Sequence, residues 1–242
     1  MKKLALLGDE AIAQAAMDAG LSGIYAYPGT PSTEITEYVQ KSKFAKENNI
    51  HTTWSANEKT AMESALGVSY AGKRTMVCMK HVGLNVAADG FINSAITGAN
   101  GGLIITVADD PSMHSSQNEQ DSRFYGKFAM IPTLEPSDQQ QAYDMVHYGF
   151  ELSERLGTPV LMRITTRLAH SRAAVERKKQ KLQNQLRIPD DPVQYVLMPM
   201  IARKNYNVLI DKQPRMEDEA RNSGYNQFFE GKDRSRGIIV SG

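Results

Sequence analysis

With 242 residues, of which 41% are hydrophobic, the chain can bury one good core and has a stretch left over. A formal net charge of +1 leaves no electrostatic footprint for nucleic acid, and a single cysteine, Cys78 in the apolar run TMVCM, excludes an internal disulfide and any cysteine-held zinc or iron-sulfur site within this chain. No segment approaches a membrane span, and the apolar run after Lys2 and Lys3 stops at Gly8, short of a signal peptide's apolar core, so a cytoplasmic location is expected.

Leu4 to Leu7 reads as a short apolar strand. The following GDEAIAQAAMDAG has acidic residues in a first turn, an Ala-rich body and a closing Gly20, which predicts a helix. Gly8 is the only glycine at that turn, so the G-x-G-x-x-G spacing that lets a backbone approach a dinucleotide pyrophosphate is missing. Gly23 to Tyr27 predicts the next strand, ending in Pro28-Gly29-Thr30-Pro31-Ser32-Thr33, a turn stiffened by two prolines and a glycine. Ser32 or Thr33 is expected to cap the helix TEITEYVQKSKFAKEN. Thr30, locked between Gly29 and Pro31 at a strand's C-terminal end, is placed to offer its hydroxyl to a cleft.

Ile50 to Trp54 has strand character, and Glu58 stands just after it at the start of a helix, where open α/β sheets place ligand chemistry. Ala61, Ala65, Gly67, Val68 and Ala71 recur at helical spacing and predict a buried helix, so the Glu58 carboxylate is expected to be shielded from bulk water. Glu63 is the rival carboxylate, but at five residues past Glu58 it lies well round the helix. Arg74 to Lys80 predicts a buried strand and HVGLNVAADGFINSAITGANGG a small-residue helix, while Leu103 to Ala108 is an uninterrupted apolar strand of the doubly covered kind. The polar loop SMHSSQNEQDSRFYGKF follows, and a loop of that length is functional or disordered. Ile131 to Leu134 predicts a short strand, Ser137 to Leu156 an amphipathic helix and Pro159 to Thr165 the last strand.

Strands alternating with helices at this density predict an α/β fold, a parallel sheet with helices on both faces. Beyond Arg167 the chain turns charged and polar, which predicts a mostly helical or irregular arm that serves as a linker or lies over a neighbour. The expected division is a domain over 1–170, a linker or arm over 171–235, and at 236–242, RGIIVSG, the first strand of a following domain that is not present.

The blocks YPGTPSTE, NEKTAMESALGVSYAGKR, MKHVGLNVAADG, VADDPSMHSSQNEQDSR and PVLMRITTRLAHSR, with YVLMPMIARK in the arm, resemble the N-terminal part of indolepyruvate:ferredoxin oxidoreductase alpha subunits. The wider 2-oxoacid:ferredoxin oxidoreductase family keeps a similar Y-P-x-T-P turn and a glutamate followed nine residues later by glycine, as Glu58 and Gly67 are here. The resemblance implies a thiamine diphosphate-binding fold in its pyrimidine domain, with Glu58 hydrogen-bonding N1′ of the aminopyrimidine and so helping to activate the cofactor. It implies that Thr30 faces the substrate and that Arg123 pairs with the substrate carboxylate, a role suited to the planar guanidinium fork. Read from the residues alone, Arg123 is a loop salt-bridge residue. Gly83 and Asn85 match a turn near the cofactor, where a backbone role in starting the helix is an equal alternative. His81 and His114 lie in recognisable blocks without a defined partner and are read as structural hydrogen-bonders.

In the resembled subunit later domains supply the diphosphate and magnesium site, and a ferredoxin-like module carries iron-sulfur clusters. This chain has no G-D-G metal motif and no cysteine set, so no metal ligand is assigned in it and it offers half a site. The implied partners are diphosphate-binding and ferredoxin-like modules on another chain, a beta subunit, and copies in a homo- or hetero-oligomer, with ferredoxin and coenzyme A in the full reaction and neither nucleic acid nor membrane. The reading is one piece of an oxidoreductase that oxidatively decarboxylates an aryl 2-oxoacid. The alternatives are a noncatalytic interaction or regulatory domain that keeps the fold, and a nucleotide-binding module, which the missing glycine pattern opposes.

Overall fold

The computed structural model describes residues 3–241. In chain order the elements are β1 (Lys3–Leu7), α1 (Gly8–Asp18), β2 (Gly23–Ala26), α2 (Thr33–Lys41), α3 (Lys43–Glu47), β3 (His51–Trp54), α4 (Glu58–Tyr70), β4 (Thr75–Lys80), α5 (His81–Thr97), β5 (Leu103–Asp109), α6 (Arg123–Ala129), β6 (Thr133–Leu134), α7 (Gln139–Leu156), β7 (Val160–Thr165), α8 (Thr166–His170), β8 (Arg172–Glu176), α9 (Pro199–Asp211) and α10 (Gln213–Asn222). Six strands form a parallel sheet in the order β3-β2-β4-β5-β7-β6. Every residue of β5 is buried, which requires cover on both faces. Helices α4 and α5 pack on each other and on β2, β4 and β5, while α7 lies against β5 and β7 and holds α1, which in turn packs on α2. Ile24, Val77, Ile105 and Leu161 are among the fully buried side chains between them.

The strand order sets where a ligand can go. Chain leaving β2 runs outward to β3, and chain leaving β4 runs the other way to β5, so the connections part between two neighbouring strands. In open α/β sheets such a parting opens a crevice at the carboxyl ends of the strands. Here its lips are the turn after Ala26 and the start of α5 after Lys80.

Three expectations need correction. The first strand does not join the main sheet: β1 pairs antiparallel with β8, Lys3 opposite Glu176 and Leu7 opposite Arg172, because the chain after β7 folds back alongside the N-terminus. Helix α4 is half-buried rather than sealed. Glu58, Ala61, Met62, Ala65, Leu66 and Ser69 form its inner face, whereas Gly67 meets nothing and Val68 and Ala71 are only partly covered. Neither Ser32 nor Thr33 caps α2 with its side chain. Ser32 Oγ donates to the Gly29 carbonyl at 2.8 Å, and Thr33 Oγ1 accepts from the Gly29 N–H at 2.9 Å, so both tie the turn itself.

The polar stretch after β8 docks on this chain's own body. Lys181 N donates to Asp18 O (2.8 Å), Arg187 N to Ala71 O (2.9 Å) and the Gln183 amide to Asn48 O (2.8 Å), all near the amino ends of the parallel strands. Its side chains join buried charges. Arg177 forks onto Asp18, which also accepts from Tyr143 OH at 2.6 Å. Asn184 donates to Glu154, which Arg74 holds through Nε at 2.8 Å and Nη2 at 2.6 Å. This polar capture explains why a segment with few apolar residues needs no core of its own. Helix α9 packs on α5, and Tyr195 stacks on Tyr70 at 4.0 Å between ring centroids. Residues 237–241 form neither helix nor strand, and Ile238, Ile239 and Val240 are exposed. The expected strand at 236–242 thus has no paired neighbour among the described residues, and Gly242 lies outside them.

Candidate functional site

The site is organised by the first turn of α5. Strand β4 runs straight into it, with Lys80 at the N-cap and His81 as the first helical residue. Gly83 follows within that turn, and its lack of a side chain lets Glu58 lie against the backbone. A Cβ at Gly83 would stand 2.5 Å from Glu58 Oε1, 2.7 Å from its Cγ and 2.8 Å from its Cδ. Glu58 is itself the first residue of α4, whose N-cap Asn57 accepts the Thr60 N–H on Oδ1 at 2.9 Å. The cap leaves Glu58 free to turn inward, and a helix N-terminus favours a negative charge. Glu58 is 8% exposed, yet among the described residues its carboxylate takes part in no hydrogen bond or ion pair. Its oxygens are not sealed from solvent, so they reach the crevice and can accept from a ligand there. Glu63 points away to the surface, where Lys59 pairs with it and with Asp89.

The turn at residues 27–33 forms the facing lip. Gly29 packs against the Lys80 side chain, where a Cβ would come within 3.1 Å of Cγ and Cδ. Thr30 is exposed at the tip, while Pro31 and Ser32 are buried beneath it. Lys80, not singled out in the sequence, and His81, read there as a structural hydrogen-bonder, also anchor the long loop after β5: Lys80 Nζ donates to Ser115 O at 3.2 Å, and His81 Nε2 lies 3.0 Å from Asn118 O. Asp110 knots the same loop. Burial would raise its carboxyl, but the Ser115 N–H and the hydroxyls of Ser116 and Thr166 hold it well below the usual carboxylate range. The loop is therefore ordered by polar contacts rather than packing, and His114 is exposed on it.

Arg123 opens α6 on the far side of that loop. Its guanidinium is already engaged, through Nε and Nη2 with Asp121 and through Nη1 with Glu135 (3.2 Å) and Ser241 Oγ (2.7 Å). The hydrogen bond it donates to Asp121 is the first cause that keeps it firmly charged. Glu135 is shared with Arg163, which also holds Asp109 at 2.8 Å. The reading of Arg123 as a salt-bridge residue therefore describes its present contacts. Asn85 is exposed one turn along α5 and accepts from Tyr125 OH at 2.5 Å. Tyr125 in turn meets the buried Phe91 ring edge-on at 6.2 Å.

The structure thus brings Glu58 and Gly83 into contact, sets the Thr30 turn against Lys80 three residues earlier, and links Asn85 through Tyr125 to the helix that Arg123 begins. Lys80, Tyr125 and Glu135 are the members the sequence did not single out. Lys80 had a signal, since it ends a buried strand at the point where connections part. Cys78 is fully buried and burial pushes its thiol up, in keeping with an inert structural role.

Comparison with known proteins adds a family-level match over residues 14–236 to "Pyruvate flavodoxin/ferredoxin oxidoreductase, thiamine diP-bdg". Among curated relatives, an indolepyruvate oxidoreductase subunit IorA from Thermococcus kodakarensis is 43% identical over 248 residues, covering 100% of this chain and 38% of its own length. One of the same name from Archaeoglobus fulgidus is 44% identical over 245 residues, with 100% and 39% covered. A 2-oxoglutarate synthase subunit KorA from Methanothermobacter thermautotrophicus is 26% identical over 176 residues, 69% of this chain and 46% of that protein. The solved structure of 2-oxoglutarate:ferredoxin oxidoreductase from Magnetococcus marinus, with 2-oxoglutarate, coenzyme A and succinyl-CoA bound, superposes with a TM-score of 0.73 at 19% identity, covering 89% of this chain and 45% of that one. The chain therefore spans about two fifths of the length of the IorA relatives it matches.

Proposed function

The chain belongs to the pyruvate flavodoxin/ferredoxin oxidoreductase family, in its thiamine diphosphate-binding part, and we propose that it supplies the aminopyrimidine half of a thiamine diphosphate site. The reaction proposed is oxidative decarboxylation of an aryl 2-oxoacid, indolepyruvate in the first instance, to its acyl-CoA with reduction of ferredoxin. One observation carries the reading: the inward-turned, unpartnered Glu58 carboxylate pressed on Gly83. The residues present fit that end of the cofactor, because an acceptor without a protein partner and a glycine cradle are what a flat nitrogen heterocycle needs. When bound, the cofactor supplies a nucleophilic carbon and an electron sink.

Glu58 would hydrogen-bond N1′ of the bound cofactor and hold or share a proton there, and Gly83 fixes where its oxygen stands. Thr30, at the tip of a turn tied by Ser32 and Thr33, offers its hydroxyl to the substrate side. Arg123 takes the substrate carboxylate on its Nη1 edge. That edge can be released without orphaning Glu135, because Arg163 still pairs with it. Asn85, held by Tyr125, would border the pyrimidine end of the bound cofactor. The diphosphate, magnesium and iron-sulfur ligands are proposed to come from diphosphate-binding and ferredoxin-like modules beyond this chain, with a beta subunit completing the assembly. The domain division proposed is 1–170 for the pyrimidine-binding domain and 171–235 for the arm. Among the described residues no helix is long and apolar enough to cross a membrane, and a cytoplasmic site of action is proposed.

The test is anaerobic reconstitution with those remaining modules, thiamine diphosphate, magnesium, coenzyme A and ferredoxin. Indolepyruvate-dependent ferredoxin reduction that requires this chain supports the proposal. An assembly that forms but turns over no 2-oxoacid supports a noncatalytic domain instead, for which the engaged state of Arg123 is the favouring observation.

A further inference from the structure

Away from the crevice, three helices converge on a second carboxylate with no partner. Asp9 is the second residue of α1, Glu34 the second of α2, and His170 ends α8. One ligand atom from each lies within 4.8 Å of the other two, and Glu34 Oε1 is 3.8 Å from His170 Nε2. The convergence is built by close packing. Gly8 sits so tightly on α8 that a Cβ there would stand 2.2 Å from the Leu168 carbonyl, and its N–H donates to Ser171 O at 3.2 Å.

Asp9 is fully buried, and neither of its carboxylate oxygens has a hydrogen-bond partner; Glu34 Oε2 is buried and unpartnered as well. The surroundings do not compensate. The charged neighbours facing Asp9 are Glu34 and Glu10; burial first, and then these two, push its carboxyl up. Arg172, the nearby base, is spent on Glu10 at 3.4 Å. Buried oxygens of two acids thus converge on one point with a half-exposed imidazole beside them, and no lysine or arginine of the described residues pairs with Asp9 or Glu34 there.

We propose that Asp9, Glu34 and His170 form a binding site for a divalent first-row transition ion of the zinc class. Two carboxylates and an imidazole are a donor set for such an ion, whereas magnesium and calcium sites are built from oxygen alone. Ligand atoms on a tetrahedral metal with bonds of about 2.1 Å are about 3.4 Å apart, so the three groups need close by only about an ångström. Glu34 and His170 are partly exposed and can make that movement, leaving a fourth position for water. The ion would clamp the start of α2, and with it the Thr33 end of the turn that displays Thr30, to α1 and α8.

The chain is stripped with a chelator and titrated at neutral pH with Co2+, followed by visible absorption, and with Zn2+ by calorimetry. The expected result is saturable binding of one equivalent per chain, weakened at least about a hundredfold in Asp9→Asn and in Glu34→Gln, and at least about tenfold in His170→Ala, each folded by circular dichroism. Asp9→Asn is nearly isosteric and His170 is exposed, so these variants separate loss of a ligand from loss of the fold. Absence of stoichiometric binding to the wild-type chain, or wild-type affinity in Asp9→Asn and Glu34→Gln, overturns the proposal. Wild-type affinity in His170→Ala overturns the three-ligand assignment.

Discussion

Gly83→Ala tests the geometry of the crevice without touching a polar group. The added Cβ would stand 2.5 Å from Glu58 Oε1, where ordinary contact begins at 3.4 Å, so the carboxylate must retreat by about 0.9 Å or α4 must shift. Overpacking of this size costs about 1–3 kcal/mol, and replacing glycine by alanine in a helix returns up to about 1 kcal/mol. We expect a net loss of about 1–2 kcal/mol in urea unfolding of the chain. In a Glu58→Ala background the obstruction is gone and the helix gain remains, so the same substitution should stabilise by about 0.5–1 kcal/mol. The coupling between the two sites is therefore on the order of 2 kcal/mol. In the reconstituted assembly, a displacement of this size at a catalytic oxygen should lower kcat on the order of a hundredfold. An identical stability change from Gly83→Ala in both backgrounds would refute the contact.

Other consequences can be checked on the same material. Arg74→Met should cost about 3–5 kcal/mol, because it strands Glu154 beside Gly102 and Asn184. Burial would raise the Glu154 carboxyl, but bonds from Arg74 and Asn184 hold it below its ordinary value. Its contribution is thus present above about pH 4.3 and is lost as pH falls through the lowered folded value, which an acid titration of stability in wild type and variant will show. Burial, then Lys178, lowers His147 to about 4. The unfolded imidazole binds its proton near pH 6.5, so stability should decline as pH drops from about 6.5 to 4, by roughly 3 kcal/mol, and His147→Phe should remove that slope. Arg123→Ala in the assembly should raise KM for the 2-oxoacid about 10- to 100-fold, the worth of a charged hydrogen bond, with a smaller effect on kcat. An unchanged KM would leave Arg123 as a salt-bridge residue only.

The main elements were legible because burial dictates their patterns. β4 and β5 had to carry apolar runs, Met76 to Met79 and Leu103 to Ile105, to sit between two helix layers, and the helix after Trp54 announced itself through Ala61 and Ala65. Glu58 was legible for the same reason, as a charge at the mouth of an apolar helix. What escaped depends on contacts distant in sequence. Nothing in KLALL tells a strand of the main sheet from one that pairs with residues 172–176. The strap over the amino ends of the sheet is held by Asp18, Glu154 and backbone carbonyls, so its polar composition suggested a linker or an arm over a neighbour. Ser32 and Thr33 had the chemistry of caps, but the local geometry spends both on Gly29. Gly83 was marked as a backbone feature, yet the reason for it, the Glu58 carboxylate, lies 25 positions away in the chain.

The central claim is that Glu58 activates the aminopyrimidine end of the cofactor. Its most direct measurement is the exchange of the thiazolium C2 proton of thiamine diphosphate for deuterium, followed by NMR in the assembled complex with wild-type chain and with Glu58→Ala. Exchange at least about a hundredfold slower in the variant, with the cofactor still bound, is the predicted result. Exchange at the wild-type rate would contradict it.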